Sequence, residues 1–184
     1  MSISKKQLVI IDDYLPKEEF LDLKKRSLKM MGSQILYPTY YGLETTISHD
    51  YMELSDIMLY EASKHYDLKS YVGYEIWTQN NTRPAGKHTD KDDIYYEITG
   101  KEVNPICTVV YYLKVDHFLK GGKLNLESVG ELIPKENRMI IFGPGLYHEV
   151  NEYEGERVSV ILNPWNKPPY QNPEDVPMDE VNIF

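Results

Sequence analysis

Residues 138–163 read RMIIFGPGLYHEVNEYEGERVSVILN, and the fold is decided there. Arg138–Phe142 is a β-branched, apolar run closed by Gly143-Pro144-Gly145. Leu146–Val150 is a second short run, Glu152-Tyr153-Glu154-Gly155 turns the chain again, and Glu156–Asn163 is a third. Short runs of this composition, punctuated by Gly and Pro, read as strands joined by tight turns. In the last of them, strand alternation puts Arg157, Ser159 and Ile161 on one face and Val158, Val160 and Leu162 on the other. The wholly apolar face is expected to pack outward against the core. The first face then brings a guanidinium and a hydroxyl toward a cavity. A guanidinium there demands an anionic partner, because an unpaired buried charge is strongly disfavoured, and its fork matches a carboxylate.

Moving outward, Tyr71–Gln79, Ile106–Lys114 and Lys123–Glu127 have the same strand character, separated by breaks such as Gly121-Gly122 and Pro134. In the second of these, Thr108, Val110 and Tyr112 alternate against Cys107, Val109, Tyr111 and Leu113, and pattern alone leaves open which set faces inward. Upstream of residue 70 the pattern is different. Gln7–Ile11 reads as a short strand, and the turn at Asp12–Pro16 leads into a helix with Glu18 and Glu19 in its first turn. Phe20, Leu23, Ser27 and Met31 fall at helical spacing beside Leu28, while Lys24, Lys25, Arg26 and Lys29 read as a solvated helix end. A second helix is expected from Glu53 to Tyr66, with Leu54, Ile57, Met58 and Ala62 on one stripe and His65 as a packing or capping residue. After Asn163 come Pro164, Pro168, Pro169, Pro173 and Pro177, so the tail is neither helix nor central strand.

Short strands after a helical lead-in predict a mainly β fold with N-terminal helices: an antiparallel jelly-roll sandwich with helices packed on one sheet. We expect a single domain over 1–184, with a helical support region at 1–70, the jelly-roll core at 71–165 and a Pro-rich tail at 166–184. At 184 residues the chain is too short for two comfortable domains. No stretch approaches the roughly 20 apolar residues of a membrane helix, and the first residues lack the apolar core of a secretory signal. The single Cys107 precludes an internal disulfide; it reads as a small buried hydrophobe in a reducing, cytoplasmic setting. A net charge of −9 argues against nucleic acid as the main partner.

The chemistry lies in His88-Thr89-Asp90 and His148. Two positions apart on extended chain, His88 and Asp90 point the same way, and His148 adds a third ligand from a distant strand. Two imidazoles and one carboxylate on one face form the ligand set of mononuclear non-haem Fe(II) oxygenases. By contrast, His49 and His117 are read as surface or packing histidines.

With these residues in place, the stretch from about Tyr71 to Trp165 resembles the catalytic core of the Fe(II)/2-oxoglutarate dioxygenases, in the prolyl 4-hydroxylase-like branch. The matches are His88-Thr89-Asp90, Cys107–Leu113, Gly121-Gly122-Lys123-Leu124, Tyr147-His148-Glu149-Val150 and Glu156-Arg157-Val158-Ser159, in the same order. They are strongest toward oxygen-sensing prolyl hydroxylases. The resemblance implies a double-stranded β-helix, a jelly roll buttressed by helices. It implies Fe(II) held by His88, Asp90 and His148, and the far carboxylate of 2-oxoglutarate bound by Arg157 and Tyr112, with Ser159 as a further contact. O2 is the other co-substrate, with ascorbate as an optional addition. Because Asp90 is present, the resemblance implies hydroxylation rather than halogenation. Residues 79–87 do not reproduce the family's usual Tyr-containing approach, so Trp77 is assigned as the pocket aromatic, and Lys91–Asn104 is read as a rim loop. The expected reaction is hydroxylation of a prolyl residue in a peptide or protein, releasing succinate and CO2. The alternatives are a free amino acid or other small molecule as substrate, or an inactive β-sandwich binding module. Oligomeric state is left open.

Overall fold

The strands predicted from residue 71 onward pair into two antiparallel sheets. The computed structural model describes residues 8–31, 39–42, 49–80 and 85–180. In chain order the elements are β1 (Leu8–Ile11), α1 (Lys17–Met31), β2 (Thr39–Gly42), α2 (His49–Ser63), β3 (Gly73–Gln79), β4 (Ala85–His88), α3 (Asp93–Thr99) and β5 (Thr108–Val115). There follow β6 (Lys120–Gly121), β7 (Leu124–Leu126), β8 (Gly130–Leu132), β9 (Met139–Phe142), β10 (His148–Val150), β11 (Tyr153–Glu154) and β12 (Arg157–Trp165). One sheet runs β1-β9-β5-β12-β3-β2 and a second β4-β10-β7-β8, while β11 pairs with β6 in a short two-stranded ribbon. No described helix is long and apolar enough to cross a membrane.

The larger sheet is buried on both faces, which explains the near-continuous apolar character of β5 and β12. On one face Val109, Tyr111, Leu113, Val158, Val160 and Leu162 pack with Phe20 and Leu23 of α1 and with Leu54, Met58 and Ala62 of α2. On the other, Val110, Tyr112, Ile140, Phe142 and Ile161 meet Leu124, Leu126 and Val150 of the smaller sheet. The alternation left open for residues 107–113 is thereby resolved: Val110 and Tyr112 face the space between the sheets. Each fully buried side chain of this size contributes roughly 1.5–3 kcal/mol, so the two apolar layers fix the register and, with it, which polar groups face inward.

Several elements depart from the expectations, each for a local reason. The supposed loop Lys91–Asn104 contains α3. Asp92 caps it by accepting from the Tyr95 amide, and Gly100 closes it at φ 69°. The second helix begins at His49 rather than Glu53, because its first turn carries no apolar stripe. The short strands β2, β4 and β8 lack an apolar run and are strands only through pairing, respectively with β3, β10 and β7. Residues 81–84 of the approach segment, and the side chains of Met31 and His49, lie outside the described residues. The tail does wrap the surface, with one 3-10 turn at Pro173–Asp175 and Val176 buried. His65 sits against Glu61 with Nε2 3.1 Å from its carboxylate, as a packing histidine would.

The N-terminal layer is pinned to the sheet by Asn137. Its side-chain oxygen accepts from the Leu15 amide at 3.0 Å and from the Tyr111 hydroxyl at 2.8 Å, and its amide donates to the Leu15 carbonyl at 2.7 Å. Its backbone is left-handed at φ 58°, which Asn tolerates and Ala resists. We expect Asn137→Ala to lower unfolding stability in urea by about 2–4 kcal/mol, from lost buried hydrogen bonds plus strain. Asn137→Gly, which relieves the strain alone, should lose measurably less; equal losses would assign the whole effect to the hydrogen bonds.

Candidate active site

Pairing of β4 with β10 sets His88 directly opposite His148, their ring centroids 4.3 Å apart. Asp90 follows two residues beyond the end of β4. Its Oδ1 lies 3.9 Å from His88 Nε2, and its Oδ2 lies 3.7 Å from His148 Nε2. The three ligand atoms all fall within 4.8 Å of one another, the one such trio of His, Cys, Asp or Glu among the described residues. The 3.9 and 3.7 Å gaps do not exceed twice a metal–ligand bond of about 2 Å, so one ion can reach both atoms of each pair. Each imidazole is oriented from behind. His88 Nδ1 lies 2.6 Å from the Gly86 carbonyl, and His148 Nδ1 lies 2.9 Å from that of Leu146. A carbonyl can only accept, so both Nδ1 atoms carry protons and both Nε2 lone pairs turn toward Asp90. Burial lowers the pKa of His148 against the opposing pull of Asp90, which keeps the ring in the neutral, metal-binding form.

Asp90 is held as firmly. The Thr108 hydroxyl donates to its Oδ2, and the Asn104 amide donates to its carbonyl at 2.9 Å. Thr108 belongs to the same alternating set as Val110 and Tyr112, and the sequence reading had not assigned it a role in the site. Its signal was that parity; what was missing was the knowledge that the set faces inward.

His88, Thr108, His148 and Arg157 line one cavity, with Trp77 and Leu124 in its wall. Arg157 is only 1% exposed, yet its Nε and Nη1 have no hydrogen-bond partner. Its guanidinium carbon sits 5.2 Å from the Tyr112 ring centroid and 5.6 Å from that of Tyr153. The hydroxyls of Tyr112, Tyr153 and Ser159 are likewise buried and unpartnered. Ser159 lies directly across from Tyr112 in the β12–β5 pairing. Burial raises the Tyr112 phenol while Arg157 opposes it, so the hydroxyl stays protonated and able to donate. A guanidinium with Nε and Nη1 unpartnered, together with several buried hydroxyls beside a His-Asp-His trio, is the donor set for a carboxylate. Gly122, at φ +67°, keeps the space clear: a Cβ there would stand 3.2 Å from Tyr153 and 3.5 Å from the Arg157 stem.

A larger cleft of about 700 Å³ adjoins the cavity at His88, Trp77 and Ala85 and includes Asp90. Trp77 lines it, as expected, together with Glu75, Thr89, Asn163 and Tyr170. Tyr170 comes from the tail, which is thus a wall of the site: its ring stacks on Tyr95 of α3 at 5.7 Å, and its amide donates to Asp92 at 2.8 Å. Glu75 accepts from the indole of Trp165 at 3.0 Å. Burial pushes its pKa up to about 7; the Trp165 bond opposes this, and Asp90, Asp92 and Asp93 add to it.

A helix-buttressed jelly roll carrying two imidazoles, one carboxylate and a buried, unpaired arginine defines a mononuclear non-haem iron oxygenase. The sequence model of the 2OG-Fe(II) oxygenase superfamily matches residues 74–165, half of the chain, and the protein belongs to that superfamily. It is a 2-oxoglutarate-dependent oxygenase with a prolyl hydroxylase-like fold. The superfamily uses Fe(II), 2-oxoglutarate and O2. Among solved structures it is similar to a Pseudomonas putida prolyl-4-hydroxylase, at TM-score 0.59 and 16% identity over 90% of each chain. It is also similar to a prolyl hydroxylase from Trichoplax adhaerens in complex with a hypoxia inducible factor oxygen degradation domain peptide fragment, at TM-score 0.57 and 16% identity, covering 88% of this chain and 84% of that one. A third is a viral collagen prolyl hydroxylase from Paramecium Bursaria Chlorella virus-1 in a 2OG complex, at TM-score 0.58 and 17% identity over 89% and 98%. No curated protein sequence matches the chain.

The raised Glu75 pKa has a consequence for stability. Below its ordinary value of 4.5 the group is neutral folded or unfolded and costs nothing; above about 7 it is charged in both states and the burial cost is complete. Glu75→Gln should therefore stabilise the metal-free protein at pH 8 by on the order of 2–3 kcal/mol and have little effect below pH 4.5. Denaturant titrations at the two pH values check this, and a difference independent of pH would contradict it.

Proposed function

We propose that His88, Asp90 and His148 hold Fe(II), that Arg157 with Tyr112 and Ser159 receives the far carboxylate of 2-oxoglutarate, and that the enzyme hydroxylates a prolyl C–H bond in a peptide. The observation that carries the reading is the buried, unpartnered guanidinium of Arg157 in one cavity with both histidines. A dianionic keto acid lying in that cavity satisfies the guanidinium at one end and reaches the His-Asp-His trio with the other. Iron supplies the oxidising chemistry when bound: 2-oxoglutarate and O2 become succinate and CO2, with one oxygen atom entering succinate and the other the substrate C–H bond.

The residues of the chain supply orientation and an apolar lining. The Gly86 and Leu146 carbonyls fix the imidazole tautomers, and Thr108 holds the carboxylate ligand. Val110, Leu124, Val150 and Ile161 give the cavity an apolar lining, which strengthens the charge-assisted bonds Arg157 can form there. The cleft beside Trp77 is open and large enough for a segment of peptide. The peptide seen with the Trichoplax adhaerens hydroxylase, a protein of like fold, supports that choice. A cytoplasmic setting is in keeping with the single Cys107, whose thiol burial pushes up to about 12.

Iron-dependent conversion of 2-oxoglutarate to succinate is the expected activity, with His88→Ala and His148→Ala both abolishing it; turnover retained in either would overturn the ligand assignment. Arg157→Ala should weaken 2-oxoglutarate binding by roughly 10–100-fold, the worth of a charged hydrogen-bond pair, while leaving metal affinity within a few fold. Calorimetric titration of each ligand separates the two, and equal losses would show that Arg157 is misassigned. A panel of proline-containing peptides, read by the mass gain of one oxygen atom, tests the substrate class.

A further inference from the structure

The cleft outside the iron trio has a chemical bias of its own. Asn163 of β12 is the direct cross-strand partner of Glu75 on β3, and both side chains line the cleft. Asn163 is 2% exposed, and its Oδ1 has no hydrogen-bond partner. Glu75 makes no ion pair among the described residues; its one side-chain hydrogen bond among them comes from the neutral Trp165 indole. The two lysines at the rim are engaged elsewhere. Lys87 pairs with Glu127 at 2.7 Å, and Lys91 lies 3.7 Å from Asp93 and over the Tyr96 ring. A carboxylate and an amide oxygen thus stand side by side, both acceptors, and no cation among the described residues is paired with either.

An unsatisfied acceptor nine-tenths buried beside an uncompensated carboxylate is disfavoured unless a ligand completes it. The arrangement is the converse of the Arg157 end: donors wait there, acceptors wait here. Resting on the reading that this cleft takes the substrate, we infer that the substrate carries a protonated nitrogen, an ammonium or guanidinium, that binds Glu75 and Asn163 while the carbon to be oxidised faces the His-Asp-His trio. A guanidinium suits the pair best, since its fork bonds two acceptors at once. The rise of the Glu75 pKa to about 7 fits a carboxylate that gains its counter-charge only from a ligand. The nitrogen comes either from a basic residue flanking the target in a peptide or from a free amino acid.

The chain carries its own reporter. Its two tryptophans are Trp77, which lines the cleft, and Trp165, which is bonded to Glu75. Intrinsic fluorescence of the full-length protein can be titrated with blocked Ala-Pro-Arg, with the neutral isostere carrying citrulline, with Ala-Pro-Glu, and with free arginine. The wild type should bind Ala-Pro-Arg roughly tenfold or more tightly than the citrulline peptide, the worth of one charge-assisted bond. Glu75→Gln, which keeps the acceptor for Trp165, should bring that ratio close to one, and Asn163→Asp should raise it. Saturation by free arginine as tight as by the tripeptide assigns a small-molecule source; tight binding of the tripeptide alone assigns a peptide. Equal binding across the charge series, no saturable response to any cationic probe, or a ratio unchanged in Glu75→Gln overturns the inference. Succinate formation by the wild type, measured in parallel, distinguishes the failures: with it intact only the substrate assignment falls, and without it the oxygenase roles fall too.

Discussion

The antiparallel pairing of β5 with β12 is the constraint on which the rest of the molecule depends. Every residue of β12 is buried, and so are the first six of β5, because one face of the pair meets the helices and the other the second sheet. Period-two alternation then leaves no freedom. Once Val158, Val160 and Leu162 are committed to the helical layer, Arg157, Ser159, Ile161 and Asn163 must face inward. A slip of one residue would put three aliphatic side chains into the site and a guanidinium into the helix interface. The same apolar packing that stabilises the sheet is therefore what holds a charged group in the interior.

That interior charge is not balanced by any carboxylate among the described residues. The described residues provide aromatic faces for Arg157, from Tyr112 and Tyr153, but no carboxylate. Ring faces offset only part of the desolvation of a guanidinium. The apolar layers around Val110, Leu126 and Ile140 supply the surplus that lets the fold tolerate the deficit. A ligand that brings a carboxylate offsets this desolvation on binding, which is why the buried donors point to an anionic group.

Much of this was legible in the sequence, and the boundary falls at a definite place. Ligands on one strand could be read from spacing: His88 and Asp90 by their interval, Arg157 and Ser159 by alternation within one apolar strand. Tyr112 needed the resemblance to a known family, since β5 is apolar on both faces and its parity alone did not say which set looks inward. Glu75 and Asn163 were out of reach. Their significance comes from being cross-strand neighbours far apart in sequence, and nothing in either local pattern announces the pairing. The same holds for β4, whose Ala-Gly-Lys-His carries no strand signature and is ordered by β10, and for Tyr170, whose place in the cleft wall is set by contacts with Tyr95 and Asp92. Helix α3 is a different case: Asp92 and Gly100 were present as start and stop signals, but between them lies a single short segment with little apolar periodicity.

Two parts of the site carry opposite sign around the His-Asp-His trio, and this polarity bears on what each can bind. Arg157 and the hydroxyls of Tyr112 and Ser159 form a pole that welcomes anions, while Glu75 and Asn163 form a pole that rejects them. A dicarboxylate entering through the open cleft passes the acidic pole unfavourably and comes to rest only at the basic one. A cationic substrate is repelled by Arg157 and held at the cleft by Glu75. On the proposed roles, a dicarboxylate and a cation would be sorted between the two poles by charge. The cost is visible in Glu75, whose burial raises its pKa and weakens the fold as pH rises from 4.5 to about 7. A fold selected for stability alone would place a neutral side chain there; a carboxylate kept at that expense is accounted for by what it binds.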